Sequence, residues 1–203
     1  QWKIHDPTDQ RALAYLATTA RGDRIYLARD LVDADVVISA GQLAYDSLLG
    51  YRGTSSVFYP GLSNTEAISK ARGEGHSELE PDDERPLRQS IDEIAWLLGS
   101  QFSIQVITTA GGQVAEVLAG AYDSVFRKGK QRLAATWRVA IPNRAEIVVA
   151  AVAANGGGES WEQLGEALAT ARNLVEKGGK IILLSEFQGE PEVGMELIRQ
   201  HQS

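Results

Sequence analysis

The sequence predicts an α/β fold, and three observations carry that expectation. Strand-like and helix-like patterns alternate along the chain, a strand–helix–strand succession closes its C-terminal part, and 43% of its 203 residues are apolar, enough to bury a core. Two lobes follow from the same reading: residues 1–140, and residues 143–203 after the turn-forming Ile141-Pro142-Asn143.

In chain order, Asp6-Pro7-Thr8-Asp9 reads as a helix start, with Leu13, Leu16 and the neighbouring alanines as an apolar face and Arg21-Gly22-Asp23 as the stop. Residues 24–27 and 35–39 are short β-rich runs, suited to buried strands. Residues 41–61 carry Gly50, Gly53, Pro60 and Gly61 without periodicity, as expected of a loop that supports a site. A helix over 64–71 leads into an acidic, solvated connection, and Pro86 opens a helix whose Ile91, Ile94, Ala95 and Leu98 share one face.

Residues 102–108 and 113–118 read as a hairpin across Ala110-Gly111-Gly112, followed by a helix over 122–133. Last come a strand at 147–153, a glycine loop capped by Ser160, a helix over 161–176 ended by Gly178-Gly179, and a strand at 180–184. That is one βαβ unit, with a right-handed crossover and a final helix at 192–200 expected.

Composition excludes several function classes. A formal charge of −7 with no basic stripe disfavours nucleic acid as a partner. The absence of cysteine removes disulfides and thiolate metal sites. No apolar run approaches the ~20 residues that cross a bilayer, and no basic-then-apolar leader opens the chain, so a cytoplasmic protein without membrane contact is expected. Gln1 in place of methionine suggests a trimmed or excised piece.

Few constellations carry chemistry. Gly156-Gly157-Gly158 before a helix offers backbone N–H groups to an anion, but without a lysine or a dinucleotide fingerprint a plain βα turn fits better. Among His5, His76 and His201, only His76 lies among carboxylates that could complete a metal ligand set, against the simpler reading of a solvated loop histidine. Ser55 and Ser56 lack a nucleophile elbow and a partner histidine.

The run Ala34-Asp35-Val36-Val37-Ile38, then Gly41, then Gly50-Tyr51-Arg52-Gly53-Thr54-Ser55-Ser56 through Pro60-Gly61 resembles the nickel-dependent lactate racemase family, in which an ADLVI strand leads to a G-F/Y-S-G-G-x-K-x-x-x-P-G loop. His5-Asp6-Pro7, Tyr26-Leu27-Ala28, Pro86-Leu87-Arg88, Ala119-Gly120 and Gly178-Gly179-Lys180 follow in matching order. The resemblance implies a two-lobed racemase-like fold with its site at the loop, in a cleft between lobes. It also implies a 2-hydroxy acid or similar small carboxylate as ligand, and a nickel pincer nucleotide as the family's cofactor.

Carried over residue by residue, the family's tethering lysine falls at Ser56, beside Gly53. One acid/base histidine falls at Asp46, the nickel ligand at about Arg72, and a further histidine at Phe126. A hydroxyl cannot replace the amine in the cofactor's attachment, and a guanidinium cannot ligate nickel. Asp46 remains a candidate base, His76 a candidate metal ligand, and Arg52 and Arg88 candidates to hold a carboxylate, with structural ion pairs as the plainer reading of both arginines. The alternative to an altered enzyme is a non-catalytic binding or interaction module on the same scaffold.

Overall fold

The computed structural model describes residues 2–73, 79–152 and 160–189, with only the backbone of Glu162. The chain divides into two compact units between Val139 and Ala140.

The first unit opens on a correction. Where a helix was expected, a single 3-10 turn at Gln10–Ala12, capped by the Asp9 carboxylate on the Arg11 N–H at 3.0 Å, gives way to strand β1, Leu13–Thr18. It pairs antiparallel with β2, Arg24–Ala28, through a turn in which Gly22 takes φ +86°. Leu13 and Leu16 suit a helix face, but a six-residue apolar run is ambiguous by period alone, and the glycine turn lets it pair with the neighbouring strand.

After the short helix α1, Arg29–Val32, strand β3, Ile38–Gln42, starts three residues later than the expected 35–39. It lies parallel to β6, Phe102–Thr108, and β6 pairs antiparallel with β7, Val114–Ala121, as the expected hairpin. Between β3 and β6 come a small hairpin of β4, Ala44–Asp46, with β5, Gly50–Arg52, then a 3-10 turn at Thr54–Val57, helix α2, Thr65–Gly73, and helix α3, Pro86–Leu97. Asn64 caps α2 through the Ala67 N–H at 3.0 Å, and Pro86 occupies the first turn of α3, where its missing N–H costs nothing. Helix α4, Tyr122–Trp137, completes the unit.

Two apolar clusters hold this unit. Ile25, Leu27 and Tyr59 pack with Ala71, Leu87, Ile91 and Ile94, joining the first hairpin to α2 and α3. Leu43, Tyr51, Ile107, Leu118, Val125 and Leu133 join the sheet to α4. Residues 43–59 contribute to both, so the loop is bolted to the core at each end. Gly129, inside α4, matters here because a Cβ would collide with Leu43. The ~1 kcal/mol that glycine costs a helix permits this close approach.

The three-stranded sheet is inverted. Its inner face carries Ser39, Ser103 and Gln105, all buried, beside Ile107 and Leu118. Its outer face aligns apolar residues in rows, Ile38–Phe102–Ala121 and Ala40–Ile104–Ala119, then Gln42–Val106–Val117.

The second unit is a βαβ unit, as expected. Strand β8, Ala145–Ala151, lies parallel to β9, Val175–Leu184, around helix α5, Trp161–Leu174. Ser160 caps α5 in a capping box with Gln163. The helix ends before Gly178, which sits inside β9 at φ +84° rather than serving as a cap. Gly156 to Gly158 and the expected helix at 192–200 lie outside the described residues.

Leu27→Ala should cost about 2–5 kcal/mol, because the side chain is fully buried where hairpin and helices meet. A urea titration of the variant checks it, and a change below 1 kcal/mol would mean the site collapses to fill the space.

Candidate functional site

The loop of residues 41–61 is built from its backbone outward. Gly53 takes φ +102°, and a Cβ there would stand 2.7 Å from Gln105 Oε1 and 2.8 Å from the Gln42 carbonyl oxygen. Only glycine fits both the conformation and the space. Thr54 follows at φ +51°, an uncommon conformation for a β-branched residue, and is fully buried. Its hydroxyl donates to the Gly53 carbonyl at 2.7 Å and accepts from Arg88 Nη2 at 3.3 Å. Contacts from several sides hold this strained pair of residues, a pattern that clusters at functional loops.

Ser56 closes the turn on itself. Its hydroxyl accepts from the Gly53 N–H at 2.8 Å and donates to the Gly53 carbonyl at 3.1 Å. Asp46 has a similar duty at the tip of the β4–β5 hairpin, where Oδ1 accepts the N–H groups of Leu48 and Leu49 at 2.9 and 2.8 Å. Downstream, the Ala28 N–H donates to the Leu62 carbonyl at 2.8 Å, and His5 Nε2 lies 2.7 Å from the Ser63 carbonyl oxygen.

Arg88 reaches the loop from α3. Nη1 donates to the Tyr51 carbonyl at 3.2 Å, Nη2 reaches Thr54, and the guanidinium pairs with Asp92 one turn on, at 3.0 Å. Its guanidinium carbon lies 4.1 Å from the centre of the Phe126 ring on α4. With its side chain 11% exposed and its donors engaged this way, Arg88 has the structural role of joining the loop to two helices. Arg52, partly exposed, ends β5 just before Gly53. Arg72 is exposed at the C-terminal end of α2, and His76 lies outside the described residues.

The structure therefore gathers Gly53, Thr54, Ser56, Arg88 and Phe126 around one loop and gives Asp46 a turn of its own. Sequence reading missed the partners of this loop. Tyr51 donates its hydroxyl to Asp82 at 3.0 Å, Lys130 Nζ reaches the same oxygen at 3.2 Å, and Tyr51 stacks near Tyr45 and edge-on to Phe126. Burial first, then the Asp82 carboxylate, pushes the Tyr51 hydroxyl well above the usual tyrosine range. Burial also raises Asp82, but the Lys130 and Tyr51 hydrogen bonds outweigh it and hold its carboxyl below the usual range. The acidic run read as a solvated face is knitted from inside by Arg85, which donates to the carbonyls of Leu79, Glu80 and Asp83. Arg85 is itself buried.

Beneath the loop, Ser39 and Ser103 share a hydrogen bond of 2.9 Å, and Gln105 Nε2 donates to Ser103 at 2.8 Å. The Tyr122 hydroxyl is buried beside Ser39 and Ser100 without closing a hydrogen bond to either, and burial raises its pKa.

The donor set does not fit a nickel pincer nucleotide. The Ser56 hydroxyl, where the resemblance puts the attachment lysine, is committed to the Gly53 backbone, and Phe126, where it puts a histidine, is an aromatic ring carrying Arg88. Among the described residues, no group of three or more histidine, aspartate or glutamate side chains gathers to hold a metal ion.

Two outcomes follow from this geometry. Ser56→Ala should lose about 1–3 kcal/mol by leaving the buried Gly53 N–H unpaired, and Gly53→Ala about 2–4 kcal/mol through backbone strain and overpacking, both read by chemical denaturation. The second concerns alkaline stability. Tyrosines titrate near pH ~10 when unfolded and higher here, so the unfolded chain releases protons first and stability falls as pH rises past ~10. Tyr51→Phe should make that decline shallower in melting curves taken between pH 8 and pH 11; an unchanged slope would remove Tyr51 from the account.

The comparisons with known proteins bear on the fold. Residues 1–77 match the model of the lactate racemase N-terminal domain. The lactate racemase apoprotein from Thermoanaerobacterium thermosaccharolyticum shares the fold at a TM-score of 0.76 and 17% identity, over 92% of this chain and 46% of that one. A structural-genomics protein from Thermotoga maritima does so at 0.67 and 18%, over 87% and 49%. The chain thus spans about half the length of these solved structures. No curated protein matches it in sequence. The domain model matched over residues 1–77 and the fold shared over most of the length make this chain similar to lactate racemase in its fold.

Proposed function

We propose that this protein binds a 2-hydroxy acid or a similar small carboxylate at the loop of residues 41–61, and does so without nickel-pincer racemisation. Ser56 carries the reading. Both hydrogen-bonding roles of its hydroxyl are spent on Gly53, at the position where the family resemblance puts the lysine that tethers the cofactor. A hydroxyl locked in this way supplies no amine for attachment.

The ligand side of the proposal rests on the loop's charge and position. Arg52 stands at the end of β5, next to Gly53, and a guanidinium takes a carboxylate in two parallel hydrogen bonds. Arg88 supports the loop from behind rather than meeting ligand, because Tyr51, Thr54 and Asp92 already engage it. Asp46 likewise has a local duty, one carboxylate oxygen accepting two backbone N–H groups at the tip of the hairpin.

A second reading, a non-catalytic interaction module, is favoured by the packing of Tyr51, Phe126 and Arg88, which fills a position that a family histidine would occupy. Calorimetric titration with D- and L-lactate, paired with chiral analysis after incubation with nickel and the pincer cofactor, separates the possibilities. Binding without interconversion is expected, and Arg52→Ala should weaken it about tenfold, the equivalent of ~1.4 kcal/mol. Interconversion by a cofactor-loaded protein would overturn the proposal, whereas absence of lactate binding would leave the interaction module.

A further inference from the structure

The inverted sheet bears on a different surface from the loop. A sheet facing water on one side normally alternates apolar residues inward and polar residues outward. Here β3, β6 and β7 do the opposite along much of their length. Ser39, Ser103 and Gln105 are buried, while Ile38 is 56% exposed, Phe102 42%, Ile104 36% and Val117 58%. The outer face carries no charge, and its polar residues, Gln42 and Thr108, lie together at one end, where they hydrogen-bond to each other at 2.7 Å. A contiguous apolar face of this kind marks a contact surface.

Its dimensions choose the occupant. Two strand spacings across and four residues along give a patch of roughly 10 Å by 13 Å between outer backbone positions. That is well short of the ~800 Å² per partner that a stable dimer buries. It matches the footprint of a helix ~10 Å across over two to three turns. The alanines of β3 and β7 on either side of Ile104 leave a shallow bed for such a helix, with Phe102 and Val106 along its length. The solved lactate racemase has more than half of its chain without a counterpart in these 203 residues, since this chain covers 46% of it.

We infer that the outer face of β3, β6 and β7 is the seat of an amphipathic helix, and that this helix belongs to the part of the lactate-racemase-like fold that the 203 residues do not include. The helix presents an apolar stripe at i, i+3, i+4 and i+7, and its seating makes the sheet a middle layer covered on both faces.

The test places a photoreactive benzophenone amino acid at Ile104 of the protein expressed in its source cells, followed by irradiation and mass-spectrometric identification of the linked peptide. The expected peptide comes from a lactate-racemase-like sequence, lies outside residues 1–203 and shows the helical apolar stripe. A link to the same patch of a second copy, a link within residues 1–203, or no link at all would overturn the inference. A second measurement guards against misfolding. Because Val117 is exposed, Val117→Glu should leave the melting temperature of the 203-residue chain unchanged, while reducing the yield of the Ile104 crosslink at least tenfold. An undiminished yield would count against the seat.

Discussion

The guanidinium of Arg88 is the joint on which the candidate site depends. One side chain ties the Tyr51 carbonyl, the Thr54 hydroxyl, the Asp92 carboxylate and the Phe126 ring, and so holds β5, the strained turn, α3 and α4 at fixed distances. A flat, permanently charged group with donors in a fork suits such a joint, whereas a lysine would satisfy one partner at a time. Around it, Tyr51, Asp82 and Lys130 add a second strut, and Arg85 a third. The loop is ordered because it is anchored at many points, which is what allows Thr54 to keep an unfavourable backbone angle.

Scaffold and chemistry have separate physical bases in this molecule. The fold shared with the racemase rests on burial of Leu27, Ile91 and Ile94 on one side and Leu43, Ile107 and Leu133 on the other. Many apolar side chains of suitable size serve that purpose, so a common fold survives at 17% identity. Catalysis instead needs particular atoms in particular places. Ser56 and Phe126 still sit on the shared framework, but each has a local structural role there. Ser56 closes a turn, and Phe126 carries a cation.

Much of the architecture was legible in the sequence. The βαβ pattern of the second unit, Ser160 as a cap, Pro86 in the first turn of α3 and the β6–β7 hairpin all follow from period and end-signals, which are local. The importance of residues 41–61 was legible from glycine placement. The first hairpin was not, because Leu13 and Leu16 fit a helical face as well as a strand, and only the pairing of their strand with Arg24–Ala28 decides between them. Nor was the joint itself. Arg88 was noticed as a possible ligand for a carboxylate, but its partners lie 34 to 38 positions away, at Thr54, Tyr51 and Phe126.

By itself, then, the sequence determined the class of fold, the order of most elements and the position of the glycine-rich segment at residues 41–61, because each depends on residue identity or near-neighbour spacing. Tertiary structure alone decided that Asp46 and Ser56 cap turns, that Arg88 and Tyr51 brace the loop, and that the three-stranded sheet turns Ser39 and Ser103 inward and Ile38 and Ile104 outward. Those outcomes depend on which distant segments meet, and on which face of a strand they cover. A period of two specifies that faces alternate without specifying which one is buried.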